Sequence, residues 1–188
     1  LVDADMLVMP PRGLKKGFAD LMTAYNGQRV GAATVALGIA EGAYRLALDY
    51  ASERQQFGRP IAEFQGLQWM LADMHIQIEA ARLLLRKAAA GKSENSGGNG
   101  SGFPDMLEAA QAKIFASEMA IKVTNDALQI FGSSGYSRNF PLERMARDAR
   151  MFTIGGGTAQ ILRTVVASAL LERKLPQTRD GYSKQGKH

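Results

Sequence analysis

Between Ile61 and Leu85 the apolar residues Ile61, Phe64, Leu67, Leu71, Met74, Ile78, Ala81 and Leu85 recur every three or four positions. That spacing is the period of an α-helix buried along one face, and a strand, with its period of two, does not produce it. Trp69, Ile76 and Leu83 add apolar surface on other faces, which predicts a helix covered on more than one side. Gly58 supplies a stop for a preceding helix, and Pro60 fixes the start of this one. Such a helix cannot hide its face alone, so the rest of the chain must supply its partners.

The partners are legible on both sides. Leu37, Ala40, Tyr44 and Leu48 place a helix from about Lys15 to about Glu53. Gly27, Gly31, Gly38 and Gly42 weaken it locally, with a kink expected near Asn26 and Arg29, and let a backbone or a ligand come close. Pro104 is expected in the first turn of a third helix, which carries Leu107, Ala110, Ile114, Ser117, Ile121, Thr124, Leu128 and Phe131 and closes at Gly132. Ser133–Phe140 reads as a turn, Pro141 restarts a short helix to about Arg150, and a last helix runs from Thr158 to about Lys174. The polar, glycine-rich stretch Gly91–Gly102 joins two antiparallel helices. The expected fold is all-α: an antiparallel four-helix bundle with an extra short helix over residues 15–174. An extended lead over 1–14 and a tail over 175–188 flank it. A chain of 188 residues supports one core of ordinary size.

Composition removes several function classes. There is no cysteine, hence neither a disulfide framework nor a thiolate metal site. Histidine occurs only at His75, expected to be structural, and at His188, which argues against a histidine metal site. No apolar run approaches the ~20 residues that span a bilayer, and no secretory signal opens the sequence. The expected location is the cytoplasm, or the mitochondrial matrix in a eukaryote. The net charge of +5 is interleaved with acids, as at Glu53–Arg54, Glu143–Arg144 and Glu172–Arg173, rather than gathered in a stripe. Nucleic-acid binding wants clustered charge beside aromatic platforms and is not expected.

One stretch does not serve the bundle alone. In RDARMFTIGGGTAQI, Arg147–Ile161, three glycines precede the last helix. A helix start offers unpaired N–H groups and a partial positive charge, and glycine exposes bare backbone there. The loop is thus a seat for an anion or a flat cofactor edge; the alternative is a loop that only caps the helix. Arg147 and Asp148 are expected to pair and brace it.

Three blocks in order carry a family resemblance. YASERQQFGRPIAEFQGLQWMLADM (Tyr50–Met74), ALQIFGSSGYSRNFPLERMARDAR (Ala127–Arg150) and IGGGTAQI (Ile154–Ile161) together resemble the C-terminal helical domain of the acyl-CoA dehydrogenases. The resemblance covers most of Gly17–Glu172. It implies an FAD-dependent enzyme that oxidises the Cα–Cβ bond of an acyl-CoA thioester, working as a homodimer or homotetramer. An electron-transfer flavoprotein or another acceptor would take the electrons. The lead Leu1–Pro11 is then the exit from an absent β-domain. By position, the resemblance assigns Arg54 to the FAD diphosphate of a neighbouring subunit, with Gln56 and Phe57 in the same contact; a surface ion pair with Glu53 is the alternative for Arg54. Gln129, Gly132 and Ser133 match adenosine- and diphosphate-side contacts, Ser133 replacing a frequent glycine. Thr158 and Gln160 match residues that meet the flavin. Asn26 and Arg29 lie where the CoA chain passes.

The sequence departs from the family where the catalytic base belongs. Many members carry a glutamate directly before the Gly-Thr of the third block; here Gly156 stands there. Others supply it just before the arginine that matches Arg29; here Gln28 stands there. A positioned base is worth ~10²–10⁴-fold. Three readings follow: a dehydrogenase with its base elsewhere, which is the leading expectation; an enzyme resembling the family's desulfinase branch, which removes sulfinate from 3-sulfinopropionyl-CoA and uses Gln28 and Gly156 as substrate contacts; or a non-catalytic binding or assembly module.

Overall fold

The computed structural model describes residues 3, 6, 13–91, 102–173 and 175. Most of the expected lead, of the Gly91–Gly102 loop and of the tail lies outside them. The first helix, α1, runs unbroken over Leu14–Glu53. Its glycines do not interrupt it. Gly31 and Gly38 face open space, whereas Gly42 lets the Met145 methyl approach to within van der Waals contact. A two-residue antiparallel hairpin follows: β1 (Gln55–Gln56) pairs with β2 (Arg59–Pro60) in the register Gln55↔Pro60. Ile61–Glu63 forms a single 3-10 turn, so α2 begins at Gln65 and runs to Ala90, four residues later than the periodicity predicts. The turn still buries Ile61, which is why the sequence pattern includes it.

Helix α3 spans Met106–Phe131. Its N-cap is Asp105, whose Oδ1 accepts from the N–H groups of Leu107 and Glu108 at 2.8 and 3.1 Å. The expected start at Pro104 is corrected by two positions, because a carboxylate cap satisfies two orphan donors at once. At the far end Gly132 closes the helix with φ +59°. Part of the expected Ser133–Phe140 turn is the short helix α4, Ser133–Tyr136. Helix α5 covers Leu142–Met151, and α6 covers Ala159–Leu170, shorter than predicted at its C-terminal end.

Pairs between helices fix their directions. Tyr50 stacks on Phe131 with ring centroids 4.1 Å apart, and the Asn26 amide donates to the Pro104 carbonyl. The two ends of α1 therefore lie beside the matching ends of α3, and these helices run side by side. Arg82 binds Glu41 and Lys87 binds Glu108, which runs α2 against both. The result is the expected antiparallel bundle, with α3 packed against α1, α2, α4, α5 and α6.

The seam between α1 and α3 is built from alanine. Ala33, Ala36, Ala40, Ala43, Ala47 and Ala51 are fully buried, as are Ala109, Ala112, Ala116, Ala120 and Ala127. Small side chains let two helix backbones approach closely and gain dispersion contact along their length. The predicted stripe on α1 rests on its larger residues, and the structure corrects it: Leu48 is exposed and Tyr44 only half buried. A second correction falls on α2. Trp69, Ile76 and Leu83 remain 63%, 64% and 62% exposed, so this chain alone covers the helix on one side only.

Candidate functional site

The glycine loop is built by α5, α3 and α6 together. Past the end of α5, Thr153 is buried, and its hydroxyl takes a hydrogen bond from Arg150 Nη1 at 2.8 Å. The Thr153 carbonyl accepts the Ala159 N–H at 3.0 Å, closing residues 153–159 into a ring. Gly156 and Gly157 stand at φ +70° and +94°, conformations that an L side chain rarely adopts. A Cβ on Gly157 would meet Leu162 at 3.3 Å, while one on Gly156 would meet nothing within 4 Å. Thr158 caps α6, its Oγ1 accepting from the Ile161 N–H at 3.2 Å. Among the described residues no acceptor takes the N–H of Gly156, Gly157, Thr158 or Gln160. The loop thus holds donors that no described residue accepts, as expected of a seat for an acceptor group.

The brace differs from the expected one. Arg147 does not pair with Asp148: its Nε and Nη2 reach both carboxylate oxygens of Glu143, one turn back, at 2.9 and 3.2 Å. Helical geometry favours that i, i+4 partner over an adjacent residue. The residues that hold the loop are Arg150, Thr153 and, from α3, Lys113. Lys113 is 1% exposed, and its Nζ donates to the Gly157 carbonyl at 2.6 Å. Burial pushes its ammonium below the usual lysine range, and the positive charge of Arg29 lowers it further.

Arg29 completes this interior cluster. Its Nη1 donates to Asn26 Oδ1 at 2.8 Å, and Asn26 Nδ2 donates in turn to the Pro104 carbonyl at 3.2 Å. Both residues are buried, and Arg29 Nε has no partner among the described residues. Burial lowers the Arg29 pKa as well. No carboxylate pairs with Arg29 or Lys113 among the described residues, so the floor of the loop is cationic. Of the candidate substrate residues, Asn26 and Arg29 are bonded to each other, and the charge of Arg29 acts on Lys113, which holds the Gly157 carbonyl next to Gly156. Gln28 is exposed, with no hydrogen bond to the cluster among the described residues. Sequence reading missed Lys113. The signal was a lysine within an alanine run whose neighbours at −4, +3 and +7 (Ala109, Ala116 and Ala120) all face inward.

The other cofactor candidates lie elsewhere. Arg54, Gln56 and Phe57 project from the hairpin, with Phe57 89% exposed at φ +54°. Arg54 makes no ion pair with Glu53. Arg59 lies over the Phe64 ring at 4.2 Å, and Phe57 meets the same ring edge-on, tying the hairpin to the start of α2. The Tyr50–Phe131 stack sets this hairpin beside Gln129, Gly132 and Ser133, all exposed at the end of α3. The glycine loop instead meets α3 at Lys113. From Lys113 the chain runs sixteen residues to Gln129 and nineteen to Gly132, which puts about 24–28 Å between the two groups. His75, on α2, is exposed and lies against Tyr44. Among the described residues there is no group of three metal-ligating side chains, and no helix is long and apolar enough to cross a membrane.

Comparison with known proteins adds three findings. The family model described as acyl-CoA dehydrogenase, C-terminal domain, matches residues 15–171. The 3-sulfinopropanoyl-CoA desulfinase of Cupriavidus necator is 67% identical over 181 residues, covering 96% of this chain and 44% of that protein. The solved structure of butyryl-CoA dehydrogenase from Megasphaera elsdenii superposes with a TM-score of 0.76 at 44% identity, over 83% of this chain and 39% of that one. The chain spans less than half the length of the curated relatives it matches.

Proposed function

Since the chain belongs to the acyl-CoA dehydrogenase family, we propose that it is the C-terminal helical part of an FAD-dependent desulfinase releasing sulfite from 3-sulfinopropanoyl-CoA. The observation that carries this reading is the chemistry around the glycine loop. A dehydrogenase needs a carboxylate to take the α-proton. Gly156 and Gln28 stand at the family's two base positions, and the buried groups behind the loop, Lys113 and Arg29, are cations. The similarity to desulfinases supports the same conclusion.

Desulfination does not need the missing base. The Cβ–S bond breaks, its electron pair stays on carbon and takes a proton, and the oxygen of a water joins sulfur. Carbon is reduced and sulfur oxidised by the same two electrons, so water closes the balance and no external acceptor is required. The cationic floor under the loop favours an anionic substrate over a neutral acyl chain. The N–H groups of Gly156 and Thr158, which no described residue accepts, offer donors to the thioester or to the flavin edge. FAD, when bound, supplies the polarising ring system and, in a dehydrogenase, the hydride acceptor.

The loop N–H groups that no described residue accepts, and the exposed Arg54 guanidinium, which makes no ion pair among the described residues, fit such a group. Their separation of about 24–28 Å along α3 supports a cofactor shared between two copies, with the hairpin of one completing the site of the other. Asn26 and Arg29 then serve the substrate side, while Gln28 contacts substrate only from the exposed face of α1.

The test uses the full-length, FAD-loaded protein under anaerobic conditions, with 3-sulfinopropanoyl-CoA and a panel of saturated acyl-CoAs. Sulfite release without flavin bleaching is the expected outcome. Bleaching by a plain acyl-CoA would replace the proposal with a dehydrogenase whose base lies in another domain, and silence on every substrate would leave a binding module.

A further inference from the structure

The bond from Lys113 to the glycine loop has a geometric consequence. A trans peptide is planar, and its C=O and N–H point in opposite directions. The Gly157 carbonyl points inward, to Lys113 Nζ at 2.6 Å. No peptide bond among the described residues is cis, so the N–H of the same unit, that of Thr158, points away from Lys113, and no described residue accepts it. Glycine at 157 removes the steric barrier to the opposite orientation, which would turn the carbonyl outward and the N–H inward. Something other than backbone preference must choose between the two.

We infer that Lys113 is a positioning residue: its buried ammonium locks the Gly157–Thr158 peptide so that the Thr158 N–H faces the bound ligand as a hydrogen-bond donor. The recipient is a carbonyl-type or ring-nitrogen acceptor, which either the thioester or the flavin edge supplies. The surroundings fit a lock of this kind. Among the described residues Lys113 has no carboxylate to satisfy it, so the Gly157 carbonyl is its fixed partner. Holding a cation in the interior carries a desolvation cost, which a purely apolar core position would avoid. Arg29 on α1, held through Asn26 to the Pro104 carbonyl, adds a second positive charge that acts on Lys113, so the Gly157 carbonyl is the group that compensates it.

The inference rests on the glycine loop facing the ligand, and its test separates the two. Lys113→Met keeps the length and volume of the chain but removes the donor; Lys113→Gln removes the charge but keeps a donor. Both are made in the full-length, FAD-loaded protein. Their FAD affinity, visible flavin spectrum and sulfite-release kinetics are then compared with the parent. If the acceptor is on the flavin, Lys113→Met shifts the flavin bands and weakens FAD binding ~10-fold or more. If it is on the thioester, the spectrum is unchanged while kcat falls ~10²-fold, the scale of losing one preorganised donor, with KM altered less than ~3-fold. In either case Lys113→Gln stays within ~5-fold of the parent.

A Met variant with parental spectrum, FAD affinity and kcat overturns the inference. So does a folded Gln variant as impaired as the Met one, because charge or packing would then be what matters. Should the Met variant not fold, Lys113→Leu takes its place as the donor-free variant under the same criteria, and a large loss in a folded Gln variant refutes the lock. A parent that releases no sulfite would sink the desulfinase reading, yet the flavin spectrum and affinity would still report on the lock.

Discussion

Gly156 is defined by two facts that pull in opposite directions. Its surroundings leave room for a side chain, with nothing within 4 Å of the place a Cβ would take, yet its φ of +70° disfavours one. A left-handed conformation costs a non-glycine residue about 1–2 kcal/mol, well under the stability of a typical domain. Gly156→Glu is therefore expected to fold and to retain FAD in the full-length protein, with a Tm lowered by a few degrees. It would also put a carboxylate at the family's base position. Against a parent that does not bleach, the variant is expected to show flavin bleaching by a saturated acyl-CoA at a rate at least ~10²-fold higher, the low end of what a base contributes. A folded, flavin-loaded variant with no such gain would show that the loop does not face the α-carbon. Residue chemistry at this position was legible in the sequence, because absence of a carboxylate needs no coordinates. Lys113 was not legible in the same way, since its meaning depends on a carbonyl 44 residues away.

At the scale of elements, the sequence disclosed which segments are helical but erred where side chains compete for a local role. Pro104 and Asp105 are both good openers for α3, and the structure uses Asp105 because its carboxylate reaches two N–H groups. Asp105→Ala is expected to cost about 1 kcal/mol and to lower Tm by roughly 2–4 °C for a protein of this size. Pro104→Ala should cost less. Equal losses in thermal unfolding would contradict the assignment of the cap. Periodicity found α1 and α3, yet it weighted Leu48 and Tyr44 over the alanines that form the seam. Hydrophobicity alone cannot tell a large residue that would fill a core from a small one that lets two backbones close up. Arg147 illustrates a further limit: adjacency in sequence suggested Asp148, while the helix turns that neighbour aside and presents Glu143. The hairpin candidates Arg54, Gln56 and Phe57 and the loop candidates Thr158 and Gln160 came from the family resemblance. The structure separates them into two groups that spacing in the sequence could not distinguish.

For the whole molecule, the outward face of α2 remains unaccounted for by contacts among the described residues. Trp69, Ile76 and Leu83 sit seven residues apart, on one side of the helix, and each is more than 60% exposed. A stripe at that interval is the pattern of a helix that packs against another helix. Large exposed apolar surfaces of this kind are uncommon on monomers and mark contacts with a partner. A second copy of the chain is the occupant that agrees with the proposed cofactor site, whose candidate residues fall into two distant groups. The face on α2 and the hairpin are joined through Phe64, which opens α2 and holds Arg59 and Phe57. Association along α2 would therefore order the hairpin as well. Replacing both Ile76 and Leu83 by glutamate in the full-length protein places charge in that face without touching the buried core. The expected result in analytical ultracentrifugation is a shift to smaller species, accompanied by weaker FAD retention. An unchanged sedimentation profile would assign the stripe to another domain of the same chain. Dissociation with FAD fully retained would instead show that each copy binds its cofactor without help from its neighbour.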